Sequence, residues 1–391
     1  MIHRKATDTL LRLARGYPVI AITGPRQSGK TTLARKCFGD RSYVNLEDPD
    51  QLDFARSDPK RFLDRYSKGA VFDEIQRCPA LFSYLQGVVD EGGEMGRFVL
   101  TGSQQFGVLS EITQTLAGRV GILHLLPFSI TELAEAGVVK EDIDAMLFKG
   151  MYPPLYDREV QPRDWFLDYV NTYVERDVRQ LINVRDLSTF NRFVRLCAAR
   201  TGQLLNYSDL AGDTGVSHNT IRSWLSIMEA SYLLFSIQPH YRNFSRRLVK
   251  HPKLYFYDTG LVCYLLGIQS EEQLGIHPNR GAVFETWVAS ELQKYSFNRH
   301  QPSPLYFWRD HKGREIDFII ESEKGLIPIE VKSGKTIGRD FFSNLNDWLR
   351  LAGGEAAEPY LVYGGEESFT RQSVNVISRH RLLDVFELLP Y

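Results

Sequence analysis

Two stretches of this sequence end in the same tetrapeptide, Ser-Gly-Lys-Thr, at Ser28–Thr31 and at Ser333–Thr336. The first completes a G-x-x-x-x-G-K-T pattern: Gly24, Pro25, Arg26, Gln27, Ser28, Gly29, Lys30 and Thr31, with Thr32 following. That spacing can hold a polyphosphate. The glycines let backbone N–H groups curl around a phosphate, the lysine reaches its β- and γ-oxygens, and the threonine hydroxyl holds Mg²⁺. In the second copy Ile329 stands where Gly24 stands in the first, and Glu330 adds a carboxylate that repels phosphate. Only the first is a phosphate cradle.

A triphosphate-hydrolysing site also needs carboxylates. The run GAVFDEIQ closes on Asp73 and Glu74, an apolar strand ending in two acids. Asp73 is placed to orient the Mg²⁺ shell and Glu74 to polarise the attacking water. RFVLTGSQQ ends in Thr101, Gly102 and Ser103, polar groups able to sense a γ-phosphate, and Arg119 precedes the next apolar run. Arg119 reads either as a stabiliser of the transferring phosphoryl group, from its own chain or a neighbour's, or as an ordinary surface arginine.

A second constellation lies near the C-terminus. The runs REIDFIIESE and GLIPIEVKSG read as a hairpin turning at Glu323-Lys324-Gly325. Pairing Glu321 with Leu326 sets Asp317 opposite Glu330, and Lys332 shares a face with Glu330. Glu285, near the start of the helix-like run GAVFETWVASELQKY, completes the set. Side-by-side carboxylates among core residues are costly unless a cation relieves them. A divalent metal on Glu285, Asp317 and Glu330, with Lys332 beside it, is chemistry for cutting a phosphodiester. A salt-bridged strand pair is the structural alternative.

These groups need elements to position them. YPVIAIT before Gly24 is a β-branched strand buried on both faces, and TTLARKCF after it has helical spacing. Strand, loop and helix N-terminus are the context the phosphate loop requires. Phe148–Gln161, rich in proline and aromatics, marks a junction, and residues 163–186 read as one long helix with Trp165, Val170, Val174, Val178 and Ile182 in register. Leu210-Ala211, Gly215-Val216-Ser217, Thr220-Ile221 and Trp224-Leu225 then fit a helix-turn-helix, with His218, Asn219 and Arg222 on the exposed face of its second helix. Two strand-like runs follow, flanking a loop with Arg242, Arg246, Arg247 and Lys250 and no acid. That combination fits a winged helix, suited to DNA backbone contact or to a protein partner.

At 391 residues the chain is long enough for two or three domains, and 43% hydrophobic residues can fill their cores. The 47 basic and 48 acidic residues nearly cancel, so a nucleic-acid surface has to be local. Four scattered cysteines without metal spacing fit a reducing cytoplasm, and no apolar stretch approaches a membrane span.

GPRQSGKTTL, FDEIQ and LTGSQ together resemble the AAA-type (ASCE) ATPases, specifically a bacterial and archaeal group sharing these motifs. The resemblance covers residues 1 to about 130 and implies a parallel sheet of five main strands, ATP and Mg²⁺ at its carboxyl edge, and a homo-oligomer. Glu285, Asp317, Glu330 and Lys332 resemble, in order, the PD-(D/E)XK nucleases, with Ile316 at the name-giving proline. The expected fold class is α/β: a parallel-sheet P-loop ATPase domain (1–150), then a helical winged-helix domain (151–258) and a C-terminal α/β restriction-endonuclease-like domain (259–391). The expected function is a Mg²⁺-dependent ATPase acting on DNA. The alternative is an ATP-dependent assembly switch whose winged helix binds protein and whose nuclease-like domain is inactive.

Overall fold

In the computed structural model, residues 2–92, 94–102, 115–139, 142–178, 186–240, 249–382 and 385 are described. The front of the chain builds a sheet of five parallel strands in the order β2-β3-β4-β1-β5, with β1 Val19–Thr23, β2 Ser42–Asn45, β3 Ala70–Asp73, β4 Phe98–Gly102 and β5 Val120–His124. Every residue of β1, β3 and β4 is buried, as expected of parallel strands covered on both faces. Register pairs Thr23 with Gly102 and with His124, so the carboxyl ends of β1, β4 and β5 share one edge. Helix α1 (Thr7–Gly16) and helix α2 (Lys30–Cys37) pack on the sheet, and α2 begins directly at the end of the glycine loop.

The chain then turns helical. Helix α3 (Ile130–Glu135) is held by a capping box between Ser129 and Glu132. The long helix expected over 163–186 is instead α4 (Pro162–Tyr169), continued by a π-helical segment at Val170–Val178. Val178 and Ile182 fall where side chains are not described. Helices α5 (Leu187–Ala199), α6 (Tyr207–Thr214) and α7 (His218–Ala230) form a helix-turn-helix around Phe190, Phe193 and Trp224, whose rings meet edge-on at 5.1–5.3 Å. Gly215 makes the turn at φ 75°, and Ser217 caps α7 by accepting the Thr220 N–H at 3.1 Å. Truncating Trp224 to alanine would cost about 3–5 kcal/mol of this small core.

Strands β6 (Leu234–Pro239) and β7 (Lys253–Phe256) form the expected hairpin, but they also join the C-terminal sheet. Its order is β12-β13-β11-β10-β9-β8-β6-β7, with β8 Leu305–Arg309, β9 Glu315–Ser322, β10 Gly325–Lys332, β11 Tyr360–Tyr363, β12 Phe369–Arg371 and β13 Val374–Ser378. The sheet is therefore mixed and continuous across the domain boundary expected at residue 258. Helix α8 (Arg280–Asn298) crosses between the halves and is buried on nearly all sides. Its Glu291 accepts the Ile130 N–H at 2.8 Å, and its Lys294 donates to the Phe128 carbonyl at 2.9 Å.

Candidate functional site

Gly24 leaves β1 at φ +149°, with the Leu125 carbonyl oxygen 2.1 Å from where a Cβ would stand. Gly29 caps α2 at φ +92°, a left-handed turn that glycine adopts without strain. Lys30, 6% exposed, donates to the carbonyls of Gly24 (3.0 Å) and Pro25 (2.7 Å), so the loop is wrapped around its own ammonium. Burial pushes the Lys30 ammonium down to about 8, against the pull of Glu74 and Asp73.

Asp73, at the carboxyl end of β3, faces α2. Thr31 Oγ1 donates to its two oxygens at 3.1 and 2.9 Å, Tyr43 OH donates at 2.7 Å, and Thr101 Oγ1 donates from β4. A threonine hydroxyl against an aspartate is the hard-oxygen set that suits Mg²⁺, and Thr31 with Asp73 behind it would hold the ion. When bound, Mg²⁺ supplies charge neutralisation at the phosphates. Glu74, at φ 57°, is held by Gln76 Nε2 and raised by burial. Arg26, Gln27, Gly29, Lys30, Thr31, Thr32 and Glu74 line one cleft of about 340 Å³, together with Pro153, Pro154, Asp157 and Arg158. It adjoins a smaller, largely apolar recess of about 50 Å³ lined by Ile2, Leu33, Phe128 and Pro153 together with Arg4, Lys36 and Asp157.

Several groups that build this site carry no motif. Arg4, 7% exposed, donates to the Ser28 carbonyl (2.6 Å), the Leu126 carbonyl (2.6 Å) and Glu132 (3.1 Å), and so braces the loop from behind. Trp165 Nε1 donates to Gln27 Oε1 at 3.2 Å, and the Arg26 guanidinium lies 5.9 Å from the Tyr173 ring centroid. Tyr173 OH donates to the Ser231 carbonyl at the end of α7 (2.9 Å). The next residue, Tyr232, places its hydroxyl 2.8 Å from Thr23 Oγ1 and 2.7 Å from His124 Nδ1. Burial holds the His124 imidazole down to about 4, hence neutral at physiological pH.

Arg119 is not brought to this site within its own chain. It precedes β5, its carbonyl accepting the Val19 N–H at 3.2 Å, so it stands at the amino edge of the sheet. The five residues of β5 put it about 16 Å from the phosphate edge. There it pairs with Asp90 at 2.5 and 3.0 Å. Ser103 lies outside the described residues, as do Arg242, Arg246 and Arg247. His218, Asn219 and Arg222 are exposed on α7 and Lys250 is exposed at the hairpin.

The C-terminal register is as expected: Leu326 pairs with Glu321 and Ile329 with Phe318, bringing Asp317 level with Glu330. Asp317 accepts the Val331 N–H at 2.8 Å, and Lys332 donates to Glu330 at 2.6 Å. The metal set expected from Glu285, Asp317 and Glu330 is not formed, and among the described residues no group of three or more His, Cys, Asp or Glu is arranged to hold a metal ion. Lys253, from β7, puts its ammonium 3.0 Å from Glu285, 2.5 Å from Glu315 and 3.7 Å from Asp317. The residues present do not fit a divalent cation.

Three family matches divide the chain: an AAA domain over residues 16–134, and two domains of unknown function, DUF8612 over 140–272 and DUF4143 over 280–382. The uncharacterized protein Rv2008c of Mycobacterium tuberculosis is 30% identical over 372 residues, which is 94% of this chain and 81% of the relative, and Mb2031c of Mycobacterium bovis matches to the same extent. Among solved structures, the Walker-type ATPase PABY2304 of Pyrococcus abyssi is similar at 13% identity and a TM-score of 0.45, over 68% of this chain and 96% of that one. AMPPCP-bound DnaA from Aquifex aeolicus is similar at 14% identity and a TM-score of 0.30, over 57% of this chain and 85% of that one. Among the described residues no helix is long and apolar enough to cross a membrane.

Proposed function

The chain belongs to the same family as Rv2008c and Mb2031c and carries an AAA domain over residues 16–134, and on that premise we propose that it is a Mg²⁺-dependent ATPase whose helix-turn-helix unit contacts DNA in step with nucleotide state. The observation that carries the ATPase reading is the convergence of Lys30, Thr31, Asp73 and Glu74 on one cleft edge. The phosphates compete with the Gly24 and Pro25 carbonyls for the Lys30 ammonium. Backbone N–H groups of the loop and the start of α2 bind the same anion. Glu74, close to the cleft, takes a proton from the attacking water.

The route from nucleotide to α7 supports coupling to the middle of the chain. Arg26 and Gln27, in the phosphate loop, touch Tyr173 and Trp165, and Tyr173 holds Ser231 at the end of α7. An anion that reshapes the loop alters both contacts. The exposed row of His218, Asn219 and Arg222, with Lys250 at the hairpin, supports DNA as the partner. A homo-oligomer is the arrangement in which Arg119, far from its own chain's nucleotide, serves a neighbour's. A second reading, a switch whose helix-turn-helix binds protein, is favoured by α7 itself, since Arg222 is its only Lys or Arg. Hydrolysis abolished by Lys30→Ala and by Glu74→Gln tests the ATPase. A salt-sensitive shift of duplex DNA separates the two partners.

A further inference from the structure

The C-terminal domain holds a buried charge cluster that ATP chemistry does not use. Lys253 is 1% exposed, and its ammonium is within 4 Å of carboxylates from α8 (Glu285) and from β9 (Glu315 and Asp317). Tyr255 OH donates to Glu285 at 2.6 Å, which spends the same Oε1 that Lys253 engages. Glu330, level with Asp317 on the neighbouring strand, is bonded instead to Lys332 at 2.6 Å and to Asn344 at 3.4 Å. The acids expected to share one metal are thus divided between two ammonium groups.

We infer that the Lys253 ammonium is a resident cation standing where a divalent metal would stand, so that this domain cuts no phosphodiester and its charge cluster instead fastens β7 to α8 and β9. Geometry and charge both favour this. Mg²⁺ needs near-octahedral oxygens at about 2.0–2.1 Å, and a buried ammonium already occupies the centre of the carboxylates. A dication there would face Lys253 and Lys332 together, inside a site with little water to screen them. One oxygen of the set, Glu330 Oε2, is buried without a hydrogen-bond partner, but a single free oxygen falls short of the near-octahedral shell Mg²⁺ requires. Lys253 comes from the hairpin that extends the C-terminal sheet, so the ion cluster ties the middle of the chain to its end.

This inference stands independently of the ATPase reading, and its test uses the full chain without nucleotide. Mn²⁺ binding is followed by electron paramagnetic resonance for wild type, Asp317→Asn, Lys253→Ala and the double variant. Wild type and Asp317→Asn are expected to bind Mn²⁺ alike, and plasmid incubated with Mn²⁺ is expected to be nicked by neither. Lys253→Ala is expected to gain a Mn²⁺ site that Asp317→Asn removes. A wild-type Mn²⁺ site lost in Asp317→Asn, or Asp317-dependent nicking, overturns the inference. So does a folded Lys253→Ala that gains no site. Where Lys253→Ala fails to fold, the wild-type comparison alone decides, and a thermal melt reports folding in each case.

Discussion

Trp165 Nε1 donates to Gln27 Oε1 at 3.2 Å, a hydrogen bond between a helix of the middle domain and the phosphate loop. Trp165 lies in an aromatic stack, its ring centroid 4.9 Å from that of Tyr152 and 4.9 Å from that of Tyr169. Gln27 itself sits at φ 61°, a conformation that a bound anion can change. If the loop moves when phosphate arrives, the indole is one of the groups outside the AAA domain placed to register it. ATP is expected to change tryptophan emission, and Trp165→Phe to abolish that change while costing about 0.5–1.5 kcal/mol for the lost hydrogen bond. An unchanged nucleotide response in Trp165→Phe would exclude this route.

Lys30 supplies a pH signature. Its ammonium is pushed down to about 8 by burial, well below the ordinary lysine value, so above that pH the empty loop carries a neutral amine. Phosphate oxygens favour the charged form and raise the value again. ATP binding is therefore expected to take up protons between about pH 8 and pH 9 and close to none from Lys30 at pH 6.5. Calorimetry in buffers of different ionisation enthalpy reads the uptake directly. Equal uptake at both pH values in wild type and Lys30→Arg would contradict it.

Arg4 is the brace behind the loop, and its partner Glu132 is fully buried. Arg4→Ala leaves that carboxylate without its guanidinium and removes the donors to Ser28 and Leu126. The expected cost is about 3–5 kcal/mol, read as a lowered thermal midpoint, with weaker nucleotide binding alongside. A variant that melts with the wild type would show that the ion pair is not sustaining the loop.

How much of this could be read from residues alone depends on sequence distance. The phosphate loop was legible because its chemistry resides in backbone conformation, and Gly24, Gly29, Lys30 and Thr31 encode that conformation locally. The pairing of Asp317 with Glu330 was legible because a two-residue turn at Glu323-Lys324 fixes every pair above it. Arg4, Trp165 and Lys253 gave no signal, since each finds its partner through tertiary packing across tens or hundreds of positions. Lys253 in particular looks like the polar first residue of an apolar strand. Arg119 did carry a usable clue. A residue just before a parallel strand lies at the amino edge, opposite the loop that follows β1.

The helix-turn-helix predicts a salt-dependent interaction. If α7 meets DNA, a gel shift at low salt should weaken steadily as salt rises, and Arg222→Ala should lower the slope of log K against log salt by about 1. A shift insensitive to Arg222, or none at low salt, favours a protein partner for this face.

The most direct test is nucleotide binding and turnover measured on the same preparations. Wild type should bind and hydrolyse ATP with Mg²⁺. Glu74→Gln should still bind while losing about 10²–10⁴ in turnover, as expected when a general base is removed. Lys30→Ala should lose both. Hydrolysis by Lys30→Ala at the wild-type rate, or a wild type that binds no nucleoside triphosphate with magnesium present, would contradict the account.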